Sequence, residues 1–267
     1  MYFSNEFSAA LSLLVSLQPV NIINKNFYRM TNNLTNKVAY ITGGSKGIGF
    51  GIAKTLLSNG MKVAISSRTL QGAKQAADLL SKDTSMVLAI ESEVSSLSSE
   101  TKAVKAVIDH FGQLDVLVAN AGVGHFAPID SLTAEQWKET IDTNLTGVFN
   151  SVKASIDSLK QTEGYIITIA SLAGTNFFES ASAYNASKFG LVGFTQAIML
   201  DLRKYGIKVT TIMPGSVATH FNNHVPNDAD AWKIQPEDIG QLVEDLLKMN
   251  PRTLPSKIEV RPSKPGK

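Results

Sequence analysis

The sequence predicts an α/β protein built on one doubly wound parallel sheet with helices on both faces. Three observations carry this expectation. From Lys37 onward, short β-branched runs alternate with longer amphipathic stretches, the pattern of a parallel sheet covered on both sides. Each amphipathic stretch is long enough to cross from one parallel strand to the next. No repeat of 20 to 50 residues and no Pro/Gly-rich linker interrupts the pattern, so a single domain over residues 30–267 is expected.

Seven strands are read in order. They are KVAYIT (37–42), KVAIS (62–66), MVLAI (86–90), LDVLVAN (114–120), GYIITIA (164–170), IKVTTIM (207–213) and KIEV (257–260). Helices are expected to begin near Gly47, Gln71, Ser96, Ala134, Ser182 and Pro236. Residues 1–29 stand apart. Their apolar run from Ala9 to Leu17 is too short to span a bilayer, and the segment lacks the basic start of a secretory signal. They read as a dispensable extension, with Met30 a second plausible start.

The chain has 267 residues, 43% of them hydrophobic, enough for a sizeable core. A formal charge of +2 with no block of either sign gives no footing for nucleic acid or an anionic membrane surface. The absence of cysteine removes disulfides, thiolate metal sites and cysteine nucleophiles, and is compatible with a cytoplasmic location. His220 and His224 stand four apart, but no third ligand is evident nearby, so no metal is expected.

In open α/β sheets ligands sit beyond the carboxyl ends of the strands. TGGSKGIG (42–49) follows the first strand directly and opens a helix. Glycine lets the backbone approach a pyrophosphate, and the helix that follows aims free N–H groups at it. Gly43, Ser45, Lys46, Gly47, Ile48 and Gly49 are therefore assigned to phosphate binding. The spacing is G-x-x-x-G-x-G, distinct from the common G-x-G-x-x-G fingerprint. The second strand ends in Ser67 and Arg68 where an acid would grip an NAD ribose. A guanidinium there suits a 2′-phosphate, so NADP is the expected cofactor. Glu93 and Val94, after the third strand, are expected to flank the adenine.

The segment SAYNASKFG (182–190) sets Tyr184 and Lys188 on one face of a helix, four residues apart. Lowering a phenol from a pKa near 10 to about 7 requires roughly 4 kcal/mol. One cation at about 4 Å supplies roughly that much at an effective dielectric near 20, before desolvation opposes it. The pair is thus expected to be a general acid/base.

Taken together, TGGSKGIG, NAG (120–122), Asn144 in NLTG, Ser171 in ASLAG, Tyr184-x-x-x-Lys188 and PGSVAT (214–219) resemble the short-chain dehydrogenase/reductase family from about Met30 to the end. The resemblance implies an NADP-dependent oxidoreductase that moves a hydride between nicotinamide and a carbonyl or secondary alcohol. It gives Ser171 a hydrogen bond to the substrate oxygen, Lys188 a hold on the nicotinamide ribose, and Asn144 a proton-relaying water. Asn120, Ala121 and Gly122 would wall the cofactor ribose. Pro214, Gly215, Val217 and Thr219 would hold the nicotinamide amide and phosphates. It further implies a homotetramer or dimer built on the helices carrying Asn144 and Tyr184. Trp137 and Phe149 read as core or subunit packing.

The substrate pocket is expected between GVGHFAPI, GTNFFES and residues 216–235, made apolar by Phe126, Phe177 and Phe178. Among family members the chain is most similar to β-ketoacyl carrier-protein reductases, although LPSKIEVRPSKPGK replaces their C-terminal glycine pair. A broader carbonyl reductase, a sugar or alcohol dehydrogenase, and an inactive NADP-binding regulator remain open from sequence.

Overall fold

The computed structural model describes residues 33–264, so the extension at 1–29 and residues 265–267 lie outside the described residues. Seven parallel strands form one sheet in the order β3-β2-β1-β4-β5-β6-β7. They are β1 (Val38–Ile41), β2 (Lys62–Ser67), β3 (Val87–Glu91), β4 (Val116–Ala119), β5 (Tyr165–Ile169), β6 (Lys208–Pro214) and β7 (Lys257–Val260). All seven coincide with the strands expected from sequence. The order reverses between β1 and β4, which pair through Ala39↔Val116, Tyr40↔Leu117 and Ile41↔Val118. This switch point opens the crevice in which such sheets bind ligands.

The strands are near-continuous apolar runs because both faces of the sheet are buried. Along β1, Ala39 and Ile41 join the core beneath α1 (Gly47–Ser58) and α7 (Pro236–Lys248), with Ile52, Leu56, Ile239 and Val243. Val38 and Tyr40 join the opposite core with Val104 and Val107 of α3 (Leu97–Phe111), Val152 and Leu159 of α5 (Gly147–Thr162), and Leu191 and Met199 of α6 (Ser182–Leu202). The period-two alternation of a strand thus divides one sequence between two cores.

Helix starts follow local chemistry. The side chains of Thr69, Ser96 and Thr133 each accept a main-chain N–H at the heads of α2 (Leu70–Leu80), α3 and α4 (Ala134–Ile141). Thr133 and Gln136 form a reciprocal capping box, and Pro236 opens α7. The single helix expected from Ala134 is in fact divided. Residues Asp142–Thr146 form one π-helical turn between α4 and α5. Spacing in sequence could not reveal this turn, because its cause is a tertiary contact made by Asn144, described below. No helix among the described residues is long and apolar enough to cross a membrane.

Candidate active site

The carboxyl ends of β1 to β6 open into a cleft of about 1440 Å³, room for a dinucleotide and a second small molecule. Of the catalytic and cofactor-binding residues assigned from sequence, all but Gly49 and Asn144 line it. Those two lie beneath its wall, Asn144 fully buried.

The glycine turn forms the cleft's first wall. Gly43 and Gly47 have φ of 62° and 57°, left-handed conformations that a side chain would strain. Whereas α2, α3 and α4 are each capped by a side chain, Lys46 at the head of α1 makes no such bond, and α1 has no acid in its first turn. Its first N–H groups therefore face the cleft with nothing from the chain's own side chains to neutralise them, which fits a phosphate. Asn120 braces this turn: its Nδ2 donates to the Thr42 and Gly43 carbonyls at 2.9 and 3.1 Å. Thr42 Oγ1 in turn accepts from the main-chain N–H of Asn120 and Ala121, at 3.0 and 3.1 Å. The amide of Asn120 is thus a joint between β1 and β4.

At the end of the cleft beside β2 and β3, Ser67 Oγ donates to the Thr69 carbonyl at 2.6 Å, and the Leu70 N–H is taken by Glu91 at 3.2 Å. Arg68 is largely exposed and reaches Glu139 of α4, 3.8 Å away. Glu139 also meets His125 Nε2 at 2.8 Å. Glu93 caps its own turn by accepting from Ser95, while Val94 is buried and its carbonyl accepts from Asn150 Nδ2 at 2.8 Å. Glu139 was not recognisable from sequence, since it reads there as an ordinary solvent-facing helix acid.

At the other end, α6 lies against the carboxyl end of β5. Lys188 is buried, and its Nζ donates to the Ile169 carbonyl at 3.0 Å. That nitrogen is 5.7 Å from the centre of the Tyr184 ring. Burial lowers the Lys188 pKa to about 8. Burial also raises Tyr184 above its ordinary value, and a hydrogen bond with Ser171 pulls it part of the way back. The expectation of a phenol already lowered by its lysine is not met in the protein alone, where burial is the largest influence on Tyr184 and raises it. At neutral pH the pair is a neutral phenol beside an ammonium.

Asn144 braces this end. Its Oδ1 accepts from the Val123 N–H, and its Nδ2 donates to the Val123 carbonyl, both at 2.8 Å, with a further bond to Ser187 Oγ at 3.1 Å. The π-helical turn brings the amide into register with the loop after β4. A second brace escaped notice in the sequence. Asn185 Nδ2 donates to the Ala173 and Asn176 carbonyls, both at 2.7 Å, tying the Ser171 loop to the head of α6. A buried Asn within a helix beside Tyr184 was the available signal.

Phe178 lines the cleft as expected, but Phe126 and Phe177 do not; Phe126 packs behind it, against Tyr184 and Phe221. Phe177 is 83% exposed and stacks on Phe189, 6.4 Å away on the outer side of α6. The other phenylalanine of the cleft is Phe221, 5.6 Å from Tyr184. The segment bearing it leaves and re-enters the body at one point, where Val217 bridges Ile234. His224 does not stand with His220 in a metal-like pair; its Nε2 meets Asp230 at 2.6 Å, and Lys233 meets the same carboxylate at 2.6 Å. Trp137 and Phe149 are about half exposed, so neither belongs to the core.

Comparison with known proteins agrees with this geometry. The family of short chain dehydrogenases matches residues 37–230. The chain is 34% identical over 197 residues to trans-4-hydroxycyclohexanecarboxylate dehydrogenase of Sinomonas cyclohexanicum, covering 72% of this chain and 76% of that one. It superposes with a TM-score of 0.80 and 29% identity on an alcohol dehydrogenase from the archaeon Thermococcus sibiricus complexed with 5-hydroxy-NADP, covering 85% and 97%. A 3-ketoacyl-(acyl-carrier-protein) reductase from Brucella melitensis complexed with NADH gives 0.78 and 26%, covering 86% and 98%. With the Ser171, Tyr184 and Lys188 side chains gathered at one end of a nucleotide-sized cleft, and with the family match spanning most of the sheet, the chain belongs to the short chain dehydrogenase family of oxidoreductases.

Proposed function

We propose that the protein is an NADP(H)-dependent reductase of ketones, of the 3-oxoacyl type or a related carbonyl class. The observation that carries this reading is the neutral Tyr184 phenol, hydrogen bonded to Ser171 and backed by a buried ammonium. A phenol that holds its proton at neutral pH is in the form that can give it to a carbonyl oxygen as hydride arrives. Nicotinamide, when bound, supplies the hydride. Ser171 and Tyr184 would together grip the substrate oxygen, and Tyr184 would donate its proton as negative charge develops there. Lys188 would stabilise the phenolate left behind and hold the nicotinamide ribose. Asn144 would act by positioning, since its side chain is taken up by Val123 and Ser187; a relayed water would fall to its main-chain carbonyl.

Two predictions test these roles. Tyr184→Phe is expected to abolish NADPH-dependent ketone reduction while NADPH affinity, measured by calorimetry, stays within a few-fold; retained turnover would remove Tyr184 from the proton-donating role. Lys188 is charged below its pKa of about 8 and loses that charge as pH rises through it. Reduction is therefore expected to hold steady from pH 6 to 7.5 and to decline above pH 8 or so. A level kcat/KM profile to pH 10 would contradict this.

The NADP preference rests on Arg68 and Lys46, two cations at the cleft's adenosine end. Glu91, the acid paired in register with Ser67, is spent on the Leu70 N–H. Arg68 would exchange Glu139 for a 2′-phosphate, a stronger bidentate partner than a carboxylate 3.8 Å away. Arg68→Asp is expected to shift the kcat/KM ratio from NADPH toward NADH by about 10-fold or more, the effect of losing one charged hydrogen bond. An unaltered ratio would place phosphate recognition elsewhere.

The protein is further proposed to be a homo-oligomer, a tetramer or dimer. Phe149 on α5, with Phe189 and Leu200 on α6, leave large apolar side chains 46%, 41% and 62% exposed. Light scattering coupled to size exclusion is expected to give two or four chains per particle, and a monomer at micromolar concentration would refute it.

A further inference from the structure

We infer that Glu100, a buried acid of α3, is a positioning residue for the nucleotide: it sets the turns after β2 and β3 that would hold the adenosine half of the cofactor. This rests on the cofactor reading above and extends it to a residue behind the cleft wall.

Four elements meet around its carboxyl. Glu100 is fully buried in the first turn of α3. Its Oε1 accepts from the Tyr40 hydroxyl of β1 at 3.1 Å and from the Ser92 hydroxyl, one residue past β3, at 2.6 Å. The same Tyr40 hydroxyl meets Ser66 Oγ of β2 at 3.2 Å. Ser92 Oγ also meets Ser99 Oγ at 3.1 Å, and Ser99 Oγ accepts the Glu93 N–H at 3.0 Å. The main chain joins this group. The Ser92 N–H donates to the Ser67 carbonyl at 2.9 Å, and the Gly44 N–H of the glycine turn donates to the Ser66 carbonyl at 3.0 Å. Ser67, Arg68, Ser92, Glu93 and Val94 all line the cleft. One buried carboxyl thus stands behind the walls on which the adenine and the 2′-phosphate would rest.

The setting of this carboxyl makes it a poor source of stability. Its Oε2 has no hydrogen-bond partner, and no lysine, arginine or histidine pairs with it among the described residues. A polar group buried in that way is costly, and an apolar side chain of similar volume packs the same space at no greater cost. What the carboxyl supplies is a fixed acceptor. Burial, and then Glu100 itself, push the Tyr40 phenol well above its ordinary pKa, so the hydroxyl keeps its proton and remains a donor. A carboxyl oxygen accepts more than one bond, so Oε1 holds β1 and the turn after β3 in one register. The ladder between β2 and β3 ends at Ser67 and Glu91, so the turn bearing Glu93 and Val94 depends on such side chains for its placement.

The test reads binding apart from turnover, on the full chain. Calorimetry follows NADPH and adenosine 2′,5′-bisphosphate, which carries only the adenosine half; kcat with ethyl acetoacetate at saturating NADPH and the thermal midpoint are measured beside it. Glu100→Leu is expected to weaken both nucleotides about 3- to 10-fold, the effect of losing roughly one buried hydrogen bond. Over the same substitution kcat is expected to hold within about 2-fold and the thermal midpoint to stay at or above the parent value. Glu100→Gln, which keeps an acceptor for Tyr40 and Ser92, is expected to bind both nucleotides within about 2-fold of the parent. Should the leucine variant not fold, Tyr40→Phe repeats the test from β1 with Glu100 intact. Parent-like affinity for the bisphosphate in the substituted protein overturns the inference and leaves the cofactor reading standing. A joint fall in affinity, kcat and thermal midpoint that glutamine does not restore overturns it too, since the residue then serves packing alone. Failure of the parent protein to bind either nucleotide refutes the cofactor reading itself, and the inference with it.

Discussion

The site depends on one buried cation. Lys188 carries its ammonium out of water and donates a hydrogen bond to the Ile169 carbonyl at the carboxyl end of β5. A buried charge is costly unless it is paired or hydrogen bonded. That constraint holds α6 against the end of β5 at a fixed rotation. With Lys188 turned toward the sheet, the residue one turn earlier faces the same way, and Tyr184 arrives beside Ser171, the residue two after Ile169. The cost of burying the lysine is visible in its pKa of about 8, which leaves the group charged at neutral pH but close to its limit.

Around this cation the chain spends asparagines as joints. Asn120 ties the glycine turn to β4, Asn144 ties the α4 to α5 junction to the loop after β4, and Asn185 ties the Ser171 loop to α6. An amide can both donate and accept, so one side chain can hold the main chain of a neighbouring loop. The loops in question are those at the carboxyl ends of β1, β4 and β5, where the sheet itself no longer fixes the backbone. Rigidity there comes from side chains, and catalytic groups on such loops are placed only as well as their supports.

The two ends of the cleft differ in how firmly they are built. The Tyr184 end is braced by buried hydrogen bonds and closed by packed rings. The adenosine end is held by exposed charges, with Arg68 resting on Glu139 at 3.8 Å. Exposed ion pairs of that kind contribute little and rearrange readily. Under the proposed reductase reading, the braced end would position a small carbonyl while the looser end would accept the cofactor.

The sequence by itself determined the sheet, because alternating apolar runs and amphipathic crossovers admit few other packings, and all seven strands fall where the pattern set them. It also brought Tyr184 and Lys188 together in the cleft, since helical spacing puts them on one face and strand ends gather the loops at one edge. Other features were decided only by the tertiary structure. The π-helical turn at Asp142–Thr146 exists because Asn144 must reach Val123, a contact between segments 21 residues apart. The exchange of Phe177 for Phe221 depends on which way a loop turns after β5, which local pattern does not encode. The balance between the phenol and the ammonium is set by how much water each group loses, and burial is a property of the folded whole.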